Sequence, residues 1–171
     1  FLEDKMESVV SMEIDDDQLD WLIARNASIK AGVVAADERE GGLRAILNYG
    51  HTIGHAIEAA TDYQTYRHGE AVILGMIGAG RIAAQLGVWS QEDEARQQAL
   101  LTRLGIPAGI AAVSAEQIFA RTKPDKKWRD GKLRFILPRR IGDAYIADDI
   151  EQEAVRAGIA HVQGLDRIVS Q

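Results

Sequence analysis

With 171 residues and 46% hydrophobic content, the chain can build one domain with a real core, or at most two small ones. Its formal charge of −6 argues against a nucleic-acid partner, because the lysines and arginines are scattered among 26 acids and cluster only at Lys123, Lys126, Lys127, Arg129 and Lys132. No run reaches the roughly 18 apolar residues that a membrane span requires, and the lack of cysteine removes a disulfide frame and a thiolate site, which fits a cytoplasmic protein.

The opening FLEDKMESVV starts on Phe1 and reads as the middle of a longer sequence, so the chain is expected to be the C-terminal piece of a larger protein. From about Asp15 to Ala36, the residues Leu19, Leu22, Ile23, Ile29, Val33 and Val34 predict an amphipathic helix, with Asp15, Asp16 and Asp17 as caps at its positive end. Lys30 stands near the other end. The charged turn that follows carries Asp37 and Glu40 and delivers the chain to Arg44, so these side chains can border one cleft. After a central helix, considered below, residues 62–67 read as a polar loop, and HGEAV opens a helix whose Gly75, Gly78 and Gly80 provide small surfaces for close packing. Ser90 caps a helix through Leu104, stopped by Gly105 and Pro107, and Ser114 caps a short one. Lys132 to Leu137 alternates as a half-buried strand does, and Gly142-Asp143 suits a hairpin turn into Ala144 to Ala147. Asp149 to His161 reads as a closing helix capped by aspartates, with His161 exposed and without a role. The expected class is mainly α: residues 1–171 form a single multi-helical domain with a small β-hairpin near residues 132–147.

The stretch RAILNYGHTIGHAIEAATDYQTYRHGE, Arg44 to Glu70, concentrates the chemistry. Taken as one α-helix, Arg44, Asn48, His51 and His55 fall within an arc of roughly 60°, while Leu43, Ile46, Leu47, Ile53 and Ile57 supply apolar flanks. A polar seam on a buried helix is costly unless its groups find partners, so this one is expected to face a metal, a ligand or a water-filled cleft. The connection to His68 is long enough to fold a third imidazole back, bringing three histidines together. His51 and His55 have the i, i+4 spacing that lets two imidazoles approach zinc or another divalent transition metal. HTIGH lacks the glutamate of the zincin pattern HExxH, so the metalloprotease reading loses its general base and most of its support. The alternative, core histidines satisfied by neighbouring groups, leaves unexplained why three of four histidines share a short region with Arg44, Asn48 and Glu58. Glu70 suits either the helix dipole or a carboxylate that orients an imidazole. Lys126 and Lys127 are either solvated or a clamp for an anion.

Four motifs in order carry a resemblance: KAGVVAADERE (Lys30 to Glu40), LRAILNYGHTIGHAIE (Leu43 to Glu58), HGEAV (His68 to Val72), and DKK with GKLRFILP and IG (Asp125 to Gly142). Together they resemble the C-terminal domain of the 3-dehydroquinate synthase family, over residues 1 to about 150. Sugar-phosphate cyclases that make deoxy-inosose or valiolone are similar in outline. The resemblance implies a helical metal- and substrate-binding domain whose N-terminal, Rossmann-like NAD-binding partner domain is missing here, with the active site between the two. It implies zinc or cobalt held by His51, His68 and a glutamate upstream of Phe1, and it makes His55 a proton-handling residue beside the metal, replacing the bare i, i+4 reading. Lys30, Glu40, Arg44 and Asn48 match catalytic and substrate-cleft positions, and one of Lys126 and Lys127, with a lean to Lys127, matches a contact to the substrate's anionic groups. The implied reaction turns 3-deoxy-D-arabino-heptulosonate 7-phosphate into 3-dehydroquinate and phosphate, by NAD-assisted oxidation, β-elimination of phosphate, reduction and aldol closure. A homodimer is the implied full-length state, and the isolated 171 residues are expected not to turn over substrate. A non-catalytic helical module is the reading from a different class.

Overall fold

A computed structural model of the chain describes residues 1–37, 42–106, 110–122, 128–129 and 132–169. Seven α-helices stand among them: α1 Leu2–Val10, α2 Asp16–Ala36, α3 His51–Ala60, α4 His68–Gln85, α5 Gln91–Thr102, α6 Ala115–Arg121 and α7 Gln152–Val169. Two 3-10 turns, Leu43–Asn48 and Ile110–Ala112, lie between them. The strands β1 Trp128–Arg129, β2 Lys132–Arg140 and β3 Asp143–Ile150 form one antiparallel sheet in the order β1-β2-β3. The mainly α class expected from sequence is what the chain adopts, and the hairpin runs to Ile150 with β1 added at its edge.

Local chemistry sets several of the helix starts. Asp15 accepts from the Gln18 amide at 2.9 Å, Ser90 from the Asp93 amide at 3.0 Å, and Ser114 from the Gln117 amide at 3.2 Å, each satisfying a donor that the first helical turn leaves unpaired. Gly105, at φ +67°, follows the end of α5 as a left-handed stop. The core is built by α3, α4, α6, α7 and β2, where Ile53, Ile57, Ile77, Ile82, Ile118, Phe119, Leu133, Leu137, Ile159 and Val162 are withdrawn from water. Each such side chain contributes about 1.5–3 kcal/mol of burial.

Five expectations are corrected. The stretch from Arg44 to Glu58 is not one helix: a 3-10 turn ends at Asn48, Tyr49 leaves helical geometry (φ −55°, ψ 127°), and Gly50 at φ +83° restarts the chain as α3. Leu43, expected as an apolar flank, is 48% exposed. Helix α2 has its expected bounds but no buried residue, and Trp21, Ile23 and Ile29 are all exposed, so its apolar residues do not form a core face. The closing helix begins at Gln152 and continues to Val169, because Asp149 and Ile150 belong to β3, where Ile150 pairs with Leu133 and Asp149 takes φ +66°. His161 is half-buried and its Nε2 lies 2.7 Å from Gln98 Oε1, so it is an interhelical contact rather than a solvated residue. Helix α1 was not read from the sequence at all.

A glycine-to-glycine crossing places the functional stretch. A Cβ on Gly75 of α4 would overlap the carbonyl oxygen of Gly50, and a Cβ on Gly50 would fall 2.6 Å from the Val72 carbonyl oxygen. The two backbones therefore touch where α3 begins, and this close approach sets His51 and His55 beside the start of α4, whose first residue is His68.

Candidate metal centre and cleft

The three imidazoles expected to converge do so. Ring centroids of His51 and His68 are 5.3 Å apart, those of His51 and His55 5.4 Å, and those of His55 and His68 5.5 Å. One ring nitrogen from each lies within 4.8 Å of the others, so a single ion could be held among them. Tetrahedral zinc or cobalt takes nitrogen ligands of this kind at about 2.0–2.1 Å, and imidazole suits both metals.

Two of the rings are held from behind. His51 Nδ1 lies 3.3 Å from the backbone carbonyl of Tyr49, and His68 Nδ1 lies 3.3 Å from both carboxylate oxygens of Glu58. A carbonyl and a carboxylate can only accept, so in the neutral form of either ring Nδ1 carries the proton and Nε2 is the nitrogen left for an ion. Tyr49 is itself anchored. Its hydroxyl donates to Gln97 Oε1 on α5 at 2.7 Å and lies 3.1 Å from the Met76 carbonyl on α4, and burial pushes the phenol above its ordinary pKa despite the bond to Gln97. The phenol stays protonated and remains a donor.

The neighbouring cleft, about 470 Å³, is lined by Lys30 of α2, by Arg44, Ala45, Leu47 and Asn48 of the 3-10 turn, and by His51. Lys30, Arg44 and Asn48 are thus brought to one wall, and His51 belongs both to that wall and to the histidine cluster. Asp37 fixes the turn by accepting from the backbone amides of Gly42 and Arg44, each at 2.9 Å. Glu40, Lys126 and Lys127 lie outside the described residues. Glu70, the carboxylate expected either to face the helix dipole or to orient an imidazole, is engaged elsewhere: it accepts from the Arg67 amide at 2.7 Å and closes the start of α4. Glu58 takes that place instead, and the signal for it was available, since Glu58 falls one helical turn beyond His55 on the same stripe.

Residues 1–128 match the family model described as 3-dehydroquinate synthase C-terminal. The chain belongs to this family. The 3-dehydroquinate synthase of Rippkaea orientalis is 45% identical over 149 residues, covering 86% of this chain and 41% of the relative. That of Nostoc punctiforme is 48% identical over 139 residues, covering 81% and 38%. The chain therefore spans about two fifths of the length of the curated relatives it matches. Among solved structures, a 2-deoxy-scyllo-inosose synthase complexed with carbaglucose-6-phosphate, NAD+ and Co2+ superposes with a TM-score of 0.74 at 27% identity, covering 86% of this chain and 42% of that one. A 2-epi-5-epi-valiolone synthase from Streptomyces hygroscopicus subsp. jinggangensis with NAD+ and Zn2+ bound reaches a TM-score of 0.81 at 23% identity, over 96% and 45%, and shares the fold. No helix among the described residues is long and apolar enough to cross a membrane.

Proposed function

We propose that the chain is the metal- and substrate-binding part of a 3-dehydroquinate synthase, which converts 3-deoxy-D-arabino-heptulosonate 7-phosphate to 3-dehydroquinate and phosphate with NAD and zinc or cobalt as cofactors. The observation that carries this reading is the meeting of three imidazoles at the edge of a cleft lined by Lys30, Arg44 and Asn48, in a chain of this family. The inosose synthase and the valiolone synthase it superposes on have NAD+ and Co2+ or Zn2+ bound, which supports the choice of cofactors. Its curated relatives are more than twice as long, and α2 offers exposed Trp21, Ile23 and Ile29; both support a nucleotide-binding half in the full polypeptide that closes over the cleft. A homodimer is the proposed assembly.

His51 and His68 would hold the divalent ion through Nε2, with a glutamate upstream of Phe1 completing the set. When bound, the ion polarises substrate oxygens as a Lewis acid and NAD accepts and returns a hydride. Lys30 and Arg44 place fixed positive charge along one wall, where they bind the substrate carboxylate and phosphate; the guanidinium can meet an anion with two parallel hydrogen bonds. Lys126 and Lys127 add charge to the same task. Asn48 and Glu40 orient hydroxyl groups by donating and accepting. His55 is exposed beside the other two rings, so it can pass a proton between substrate and solvent without giving up a place on the ion.

The test is product analysis with the purified full-length polypeptide and its histidine variants. We expect 3-dehydroquinate and phosphate from the heptulosonate phosphate and no turnover of a hexose 6-phosphate; the reverse preference would move the chain to the inosose-type cyclases that it superposes on. His51→Ala and His68→Ala should each weaken metal binding by at least about 100-fold, since even groups that only support a ligand are worth 10–100-fold. His55→Ala should keep the metal and lose turnover. Loss of the metal in His55→Ala would make all three imidazoles ligands.

A further inference from the structure

We propose that Glu58 is the positioning residue of the metal centre: its buried carboxylate holds His68 in the tautomer and orientation that present Nε2 to the cation. This rests on the reading of His51 and His68 as ligands and adds a third residue whose function is to aim one of them.

Glu58 is 7% exposed, on a helix whose neighbouring Ile57 is fully buried. A carboxylate in such a place costs several kcal/mol unless it is paired and hydrogen-bonded. Its two oxygens lie at the same 3.3 Å from one atom, His68 Nδ1, so the ring nitrogen is centred on the carboxylate. His68, by contrast, has a side chain 55% exposed and stands at the first position of α4, where packing does little to choose among its rotamers. The buried partner therefore fixes the exposed one. The choice of tautomer follows from the acceptor-only character of the carboxylate, and its negative charge also makes Nε2 a stronger donor to a cation.

His51 gives the internal contrast. Its Nδ1 is held by the Tyr49 carbonyl, a neutral backbone group that no substitution removes, so the two rings reach the same tautomer by different means. Of these two, it is the hold on His68 that rests on a side chain, which makes the inference separable by mutation.

The experiment uses the full-length polypeptide in three forms, wild type, Glu58→Ala and Glu58→Gln. Zinc affinity is measured by competition with a chelator, and imidazole tautomers are read from 15N–1H correlation spectra of the metal-free protein. We expect Glu58→Ala to weaken zinc binding about 10–100-fold and to turn His68 from the Nδ1–H form into a mixture, with His51 unchanged. Glu58→Gln keeps an acceptor oxygen and should retain the tautomer while losing part of the affinity. If Glu58→Ala lowers the melting temperature but leaves zinc affinity and the His68 tautomer as in wild type, Glu58 is a packing residue and the inference falls while the metal site stands. Equal zinc affinity in His68→Ala and wild type would remove the metal reading itself.

Discussion

The crossing of α3 and α4 and the long helix α2 both contribute to the cleft, yet they are held in opposite ways. At the crossing, Gly50 and Gly75 bring two backbones into contact, and Ile53, Ile57, Leu74 and Ile77 bury the surface around them. Along α2 no residue of 21 is buried, and its main neighbour is the 3-10 turn that carries Arg44. The histidine cluster is therefore built on rigid core, while Lys30 stands on an element whose position this chain constrains weakly. An ion needs its ligands fixed to within a few tenths of an ångström, whereas a cationic wall acts through longer-ranged charge and tolerates movement. The contrast matches the chemistry proposed for each.

The largest effect should come from breaking the crossing. Gly75→Ala places a methyl on the Gly50 carbonyl and should cost about 3 kcal/mol or more, at the upper end of overpacking, read by denaturant unfolding; a loss under 1 kcal/mol would show that the two helices can separate freely. On α2, Lys30→Ala should raise KM for the anionic substrate in the full-length polypeptide. Ile23→Ala, on the same helix, should change the stability of the 171-residue chain by less than about 0.5 kcal/mol, as for other surface positions; a larger loss would mean that α2 is packed after all.

The smallest effect concerns the joint between α5 and α7. Burial, and secondarily the charge of Arg81, lower the pKa of His161, with Glu94 opposing, so the neutral ring is the one the fold accommodates. Because the folded value lies below the ordinary one, the unfolded chain binds the proton more readily. The stability from this group is fully present above the ordinary value near 6.5 and is lost as pH falls toward the folded value. His161→Gln should flatten that part of the pH–stability curve, measured by thermal unfolding between pH 7.5 and 5.

Much of the chain could be read in advance. The caps at Asp15, Ser90 and Ser114 lie where side-chain oxygens precede acidic first turns, and local rules of that kind transfer directly to structure. The convergence of His51, His55 and His68 followed from spacing and a connection of suitable length. What failed was the assumption of one continuous helix from Arg44. NYGH gives no strong stop signal, since an isolated glycine is tolerated in a helix, and only the need for Gly50 to meet α4 puts the break there. The exposed apolar residues of α2 were misjudged for a related reason: periodicity predicts a helix but not which surface, if any, it will find to cover. His161 looked like a lone surface residue because its partner Gln98 is 63 residues away in sequence.

The sequence alone determined the residue types and their order: three imidazoles, an arginine, an asparagine and a lysine at spacings that suit a metal and an anion, on helices whose starts are written in their caps. Which carboxylate stands behind His68 was decided only in three dimensions. Glu70 is nearer in the chain, but the start of α4 uses it as a cap, and the approach of α3 to α4 brings Glu58 to the ring instead. Caps and periodicity act over a few residues, so a sequence displays them. The pairing of a buried charge is settled by whichever groups the packed core leaves within hydrogen-bonding distance, and that depends on the whole chain at once.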